Sequence, residues 1–175
     1  MDMTELPLTE QTSPLELPLR PCVGIMLING RGEAWIGQRR PRWIPADADP
    51  IWQMPQGGIL PGEDPLAAAL RELKEETGVS SVEVLAELPE ELTYRLPPHL
   101  LGVALKRRYA GQCQRWFAMR FTGEDSEITL IPQEGGKPEF SAWRWAPLEE
   151  LPDLALPFKR PIYEAVIRGF ADVTR

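Results

Sequence analysis

Histidine is almost absent from this chain: His99 is the only one in 175 residues, and there are only two cysteines. Zinc motifs of the H-E-x-x-H or C-x-x-C kind are therefore missing, and a Ser–His–Asp triad would rest on that single imidazole. His99 lies in the turn-like stretch PPHL, which predicts a surface loop residue. Cys22 and Cys113 sit inside apolar or alternating stretches, so the expectation is two buried thiols in a reducing compartment rather than a disulfide framework. No apolar run approaches the eighteen or so residues that suggest a membrane span, and no signal peptide opens the chain. Positive charge is outnumbered, with 19 lysines and arginines against 26 acids. The net charge is −7, which argues against a general polyanion or DNA binder; any RNA contact must come from a local basic patch. No internal repeat is visible.

What is present in excess is acid, at one place. GGILPGEDPLAAALRELKEETGV, from Gly57 to Val79, carries Glu72, Glu75 and Glu76 at the end of an apolar-periodic segment. The segment predicts a helix over Pro65–Thr77. Asp64 is a good N-cap, Pro65 suits the first helical position, and Gly78 suits the left-handed residue past the end. Leu66, Ala69, Leu70, Leu73 and Thr77 recur at helical spacing and form the expected inward stripe. The three glutamates fall within an arc of roughly 100° beside it. Glu72 and Glu76 are an i, i+4 like-charge pair, which costs an isolated helix roughly 0.2–0.5 kcal/mol. Arg71 can offset part of that through Glu75 but cannot neutralise three carboxylates. A hard divalent cation can, because Mg²⁺ takes carboxylate and water oxygens and shares its shell with substrate phosphates.

Along the rest of the chain, residues 1–19 alternate Pro, Thr, Glu and Leu without a useful period and are expected to be a flexible tail, leaving 20–175 as one domain. Strands are expected at residues 22–28 and 33–38, joined as a hairpin by Asn29-Gly30-Arg31-Gly32. Arg39, Arg40 and Arg42 follow, then a loop ending at Trp52. Beyond the helix, residues 82–88 and 92–96 are candidate strands, and Lys106, Arg107 and Arg108 form a second basic cluster in a loop. CQRWFAMRF, residues 113–121, alternates as a half-buried central strand, with Phe117, Met119 and Phe121 facing one way. GEDSEITL reads as a turn and a short strand, QEGGKPE as a glycine-rich loop, and residues 140–146 as another strand with Trp143 and Trp145 on a core face. PLEEL begins a turn or short helix, and residues 161–173 form a closing helix with Ile162, Ala165, Val166, Gly169 and Phe170 inward. Strands flanked by helices suit a mixed α/β class.

The acidic stretch fits G-x5-E-x7-R-E-U-x-E-E-x-G-U, with U apolar, at every fixed position: Gly57, Glu63, Arg71, Glu72, Leu73, Glu75, Glu76, Gly78 and Val79. This resembles the box of the Nudix hydrolases. WQMPQGGI, YRLP, GQCQRWF, KPEFSAWRW and PFKRPIY extend the resemblance to the bacterial RNA pyrophosphohydrolases and the related (di)nucleoside polyphosphate hydrolases. The resemblance implies an α/β/α sandwich around a mixed β-sheet and hydrolysis of phosphoanhydrides with Mg²⁺, Mn²⁺ or another divalent cation substituting. It implies a metal site on Glu72, Glu75, Glu76 and the Gly57 carbonyl, with Glu139 of the P-E-F segment joining from the opposite side. Glu76 is the first choice of base and Glu139 the second, while Glu63 and Arg71 are structural. Arg20, Arg40, Phe158 and Lys159 match positions near a 5′ nucleotide, and Tyr94 is a candidate polyphosphate contact. The expected substrates are 5′-phosphorylated RNA or, alternatively, a dinucleoside polyphosphate, in the cytoplasm. A catalytically silent RNA-binding module is a third reading, against which all the box glutamates are present.

Overall fold

The structure is a computed structural model, and it describes residues 16–174. Leu19–Ile28 forms strand β1, and it owes its central place to having apolar side chains on both faces. Val23, Ile25 and Leu27 enter one core, while Met26 and Ile28 enter the other. Such a strand must be covered on both sides. It runs parallel to β7, Gly111–Phe121, in register from Leu19–Gly111 to Ile28–Arg120.

The other edge of β1 is shared. Its beginning pairs with β4, Gln56–Gly58, and its end turns back into β2, Ala34–Arg39. β2 carries β3, Ile51–Gln53, on one side of the sheet path, and β8, Ala142–Ala146, also pairs with it. β7 in turn carries β5, Val82–Glu87, and β6, Leu92–Arg95, both antiparallel. The eight strands make one mixed sheet.

Helices cover both faces. Helix α1, Pro65–Thr77, lays Ala68, Ala69 and Leu73 on the core that holds Val23, Ile25, Leu27, Phe117 and Met119. On the opposite face, α2, Leu151–Leu154, and α3, Arg160–Gly169, bring Leu151, Ile162, Tyr163 and Val166 against Met26, Ile28 and Trp116. The expected mixed α/β sandwich is the fold observed.

Several details differ from the expectation. Residues 1–15 of the expected tail lie outside the described residues, and Leu19, set at its end, opens β1; Pro18 already accepts a backbone hydrogen bond from Ala110. Around and past Trp52, where the expected loop ends, the chain contributes two short strands, Ile51–Gln53 and Gln56–Gly58, because β1 and β2 offer it open edges. β7 is buried on both faces rather than half-buried, since α3 covers the side bearing Trp116 and Ala118. GEDSEITL makes a single 3₁₀ turn at Asp125–Glu127 and no strand. On α1, Leu70 is exposed and Ala68 is buried in its place. The closing helix stops at Gly169, and Tyr163, missing from the expected inward set, is among its most buried residues. Cys22 is buried, whereas Cys113 is only half-buried, with its thiol donating to Glu91 Oε2 at 3.0 Å; both thiols are free. His99 is exposed in a short 3₁₀ turn.

Candidate active site

The start of α1 is built as its sequence dictates. Asp64 accepts from Ala67 N at 3.0 Å, and Gly78 takes φ +75° past the C-terminus. This fixes the helix rotation so that Glu72 and Glu76 face β4 while Glu75 remains outside, its side chain 58% exposed.

Arg71 ties the helix to the loop before it. Its Nε and Nη2 donate to the two oxygens of Glu63 at 2.9 and 2.8 Å, Nη2 also reaches Gly58 O at 2.9 Å, and Nη1 reaches Glu72 at 2.9 Å. Glu63 accepts Leu60 N as well, at 3.1 Å. Paired this way, the Glu63 carboxyl is held down to about 2, chiefly by Arg71 and then by the Leu60 amide.

Glu72 and Glu76 experience the opposite environment. Burial raises the proton affinity of Glu72, and it raises that of Glu76 much further, with the charges of Glu139 and Glu72 adding to the effect. Glu76 accepts a long bond from Gln56 N at 3.3 Å. Glu139 approaches from the loop before β8 and pairs with Arg39 at 3.2 Å. Among the described residues no three acidic, histidine or cysteine side chains stand close enough together to hold a metal ion. The donor chemistry nevertheless suits a hard cation, being all oxygen. A side chain at Gly57 would put its Cβ 2.0 Å from the Glu72 carboxyl carbon, so the glycine keeps open the space beside that carboxylate.

A cleft of about 410 Å³ opens in front of these groups. Glu72, Glu76 and Glu139 line it, and so do Arg20, Arg39, Tyr94, Phe158 and Lys159. A second, wider cleft of about 630 Å³, lined by Arg71, Lys74 and Lys137 among others, shares the same three carboxylates. The acids thus form a wall touched from both sides. Phe158 lies 5.4 Å from the Tyr94 ring and 6.5 Å from Trp43, giving one side of the first cleft an aromatic lining. Lys159 is buried, its ammonium 5.7 Å from the Tyr94 ring centre; burial first, then Arg39, lowers its pKa to about 7.

Most of the residues singled out from the sequence converge here: Gly57, Glu72, Glu76, Glu139, Arg20, Tyr94, Phe158 and Lys159 all line the first cleft. Arg40 does not. Its guanidinium turns back to the carbonyls of Pro45 and Ala48, and its neighbour Arg39 faces the acids instead. Arg39 is the last residue of β2, whereas Arg40 already belongs to the following loop and folds back on that loop's carbonyls. The sequence reasoning also missed the glutamine floor. Gln114 donates to Gln112 at 2.8 Å and to Gln56 at 3.3 Å, and Trp116 donates to Gln114 at 2.9 Å. The signal was the pair of glutamines in GQCQ two residues apart, which puts two amides on one face of a buried strand.

A family model described as the NUDIX domain matches residues 18–166. An RNA pyrophosphohydrolase of Mesorhizobium japonicum is 51% identical over 173 residues, spanning 97% of this chain and 100% of that one. An RNA pyrophosphohydrolase of Rhodopseudomonas palustris is 54% identical over 158 residues, spanning 90% of this chain and 95% of its own. Among solved structures, a MutT protein from Methanosarcina mazei superposes with a TM-score of 0.62 at 18% identity, covering 87% of this chain and 96% of that one.

Proposed function

The chain belongs to the NUDIX domain family, and on that premise we propose that it is an RNA pyrophosphohydrolase, converting the 5′ triphosphate or diphosphate end of RNA to a monophosphate. The observation that carries this is the end-to-end identity of about half with relatives of that name, over a stretch that includes the acidic wall and its cleft.

In this reading the 5′ nucleotide enters the aromatic side of the first cleft, where Phe158 offers a stacking face. Arg20 and Lys159 neutralise its phosphates, and Tyr94 supports the chain of phosphates. Glu72, Glu75, Glu76, Glu139 and the Gly57 carbonyl would hold Mg²⁺, or Mn²⁺ in its place. When bound, such an ion polarises phosphate oxygens and acidifies water. Water adds to phosphorus, an anhydride P–O bond breaks, pyrophosphate or phosphate leaves, and the water proton passes to a carboxylate. Glu76 is assigned that proton, with Glu139 as the second candidate; both carboxylates line the first cleft. Glu63 and Arg71 keep the helix and loop in place. The role suits mRNA decay in the cytoplasm, and the two free thiols support that location.

The test is a kinetic comparison of triphosphorylated RNA with diadenosine tetraphosphate at matched concentration, with products analysed in ¹⁸O water. RNA is expected to be the better substrate, by kcat/KM. Much faster dinucleotide turnover would instead make the protein a dinucleoside polyphosphate hydrolase using the same site.

A further inference from the structure

At the open rim of the first cleft the chain does something costly. Leu105, Lys106 and Arg107 take φ values of 52°, 56° and 61° in succession, and none is glycine. A left-handed residue with a side chain is disfavoured, so three in a row persist only where their surroundings hold them. The hold is visible. Leu105 packs on the core, Arg107 N bonds Ala104 O at 3.1 Å, and Arg108 N bonds Leu105 O at 3.2 Å. With Leu105 as the anchor, Lys106, Arg107 and Arg108 are turned outward and exposed, and Lys106 reaches the cleft lining.

These three cations differ from the two arginines that brace the acids. Arg39 and Arg71 are paired to carboxylates, whereas among the described residues Lys106, Arg107 and Arg108 have no ion-pair partner. In a chain of net charge −7, a free triple of positive charge beside the cleft is a local exception. Lys106 lines the first cleft beside Trp43 and Phe158, on the aromatic side where the 5′ nucleotide is proposed to enter.

We propose that the 105–108 loop is a docking rail for the phosphodiester backbone of RNA nucleotides beyond the 5′ end, and that it favours RNA chains over compact dinucleotides. The proposal rests on the reading of the substrate as RNA. The contact is to phosphates and carries no base preference.

The experiment compares triphosphorylated oligoribonucleotides of two and ten nucleotides on the wild-type protein, R107A/R108A and the conservative R107K/R108K. The alanine variant is expected to lose about tenfold in kcat/KM on the ten-mer. It should keep wild-type rates on the two-mer, and the lysine variant should recover most of the loss. The log–log salt dependence for the ten-mer should flatten by about 1.4, from two contacts at about 0.7 each on a single strand. Equal loss on both lengths, or none on the ten-mer, overturns the rail. Failure of the wild-type protein to hydrolyse either oligomer overturns the underlying RNA reading instead, so the two failures are told apart.

Discussion

At Lys159, stability pulls against the substrate contact proposed for it. Burial lowers this ammonium from 10.5 to about 7, while the unfolded chain keeps the ordinary value. Between those two values the unfolded chain binds more protons, so this group's contribution to stability rises with pH across the window. Below pH 7 the full cost of enclosing the charge is present. K159M removes that cost. It should raise the melting temperature at pH 6 while weakening affinity for triphosphorylated RNA by about tenfold or more, the scale of a lost charged contact. A variant that melts lower and binds as before would show that the amine serves packing instead. Glu76 gives the complementary case. E76Q keeps size and most of the polarity but cannot take a proton, so turnover should fall at least about a hundredfold with nucleotide binding retained. An unchanged turnover would move the base to another carboxylate or point to a binding module.

The element that carries the site is α1 with the loop before it, and two kinds of constraint act there. One is electrostatic. The Glu63 carboxyl has its pKa held from 4.5 down to about 2 by Arg71 and the Leu60 amide. Its pairing therefore stabilises the fold fully above about pH 4.5, and the contribution is lost as the pH falls towards 2. E63Q should be less stable than wild type in denaturant at pH 6, with the gap closing by pH 2–3; a constant gap would mean that the charge is irrelevant. The other constraint is space. G57A drives a methyl group into the Glu72 carboxylate, whereas G62A, at φ +74°, meets nothing within 4 Å and strains only the backbone. G62A should lose about 1–2 kcal/mol to left-handed strain, whereas G57A should lose less, because the flexible end of Glu72 can swing out of the way. Turnover should collapse only in G57A. This element was legible in the sequence to the residue, because Asp64, Pro65 and Gly78 are local signals that act whatever the tertiary context. Its inward face was less so: Leu70 points to solvent and Ala68 to the core, because the helix lies on a close-packed sheet that admits small side chains. Strands β3 and β4 were not legible, since their pairing depends on open edges supplied by β1 and β2 far away in sequence. Arg40 was chosen over Arg39 because the sequence does not show that β2 ends at Arg39 and that the next loop turns Arg40 back on itself.

At the scale of the whole molecule, the far face of the sheet reaches the acidic wall through one hydroxyl. Tyr163 of α3 packs edge-on against Trp116 of β7, with ring centres 6.0 Å apart, and its OH accepts the Met54 amide at 2.9 Å. Met54 sits between β3 and β4, two residues before Gln56, whose own amide reaches Glu76. The closing helix therefore fixes the height of the segment against which the Glu76 carboxylate rests. Y163F keeps the ring and its packing and leaves the buried Met54 amide without its acceptor, which should cost about 1–3 kcal/mol. Because only one bond is lost, the denaturant midpoint should fall with its slope unchanged. If the coupling is real, kcat should fall severalfold while KM for RNA moves little, because the aromatic side of the cleft is untouched. A stability loss with kcat intact would confine Tyr163 to holding the two layers together and would leave Gln56 positioned by its pairing with β1 and its bond from Gln114.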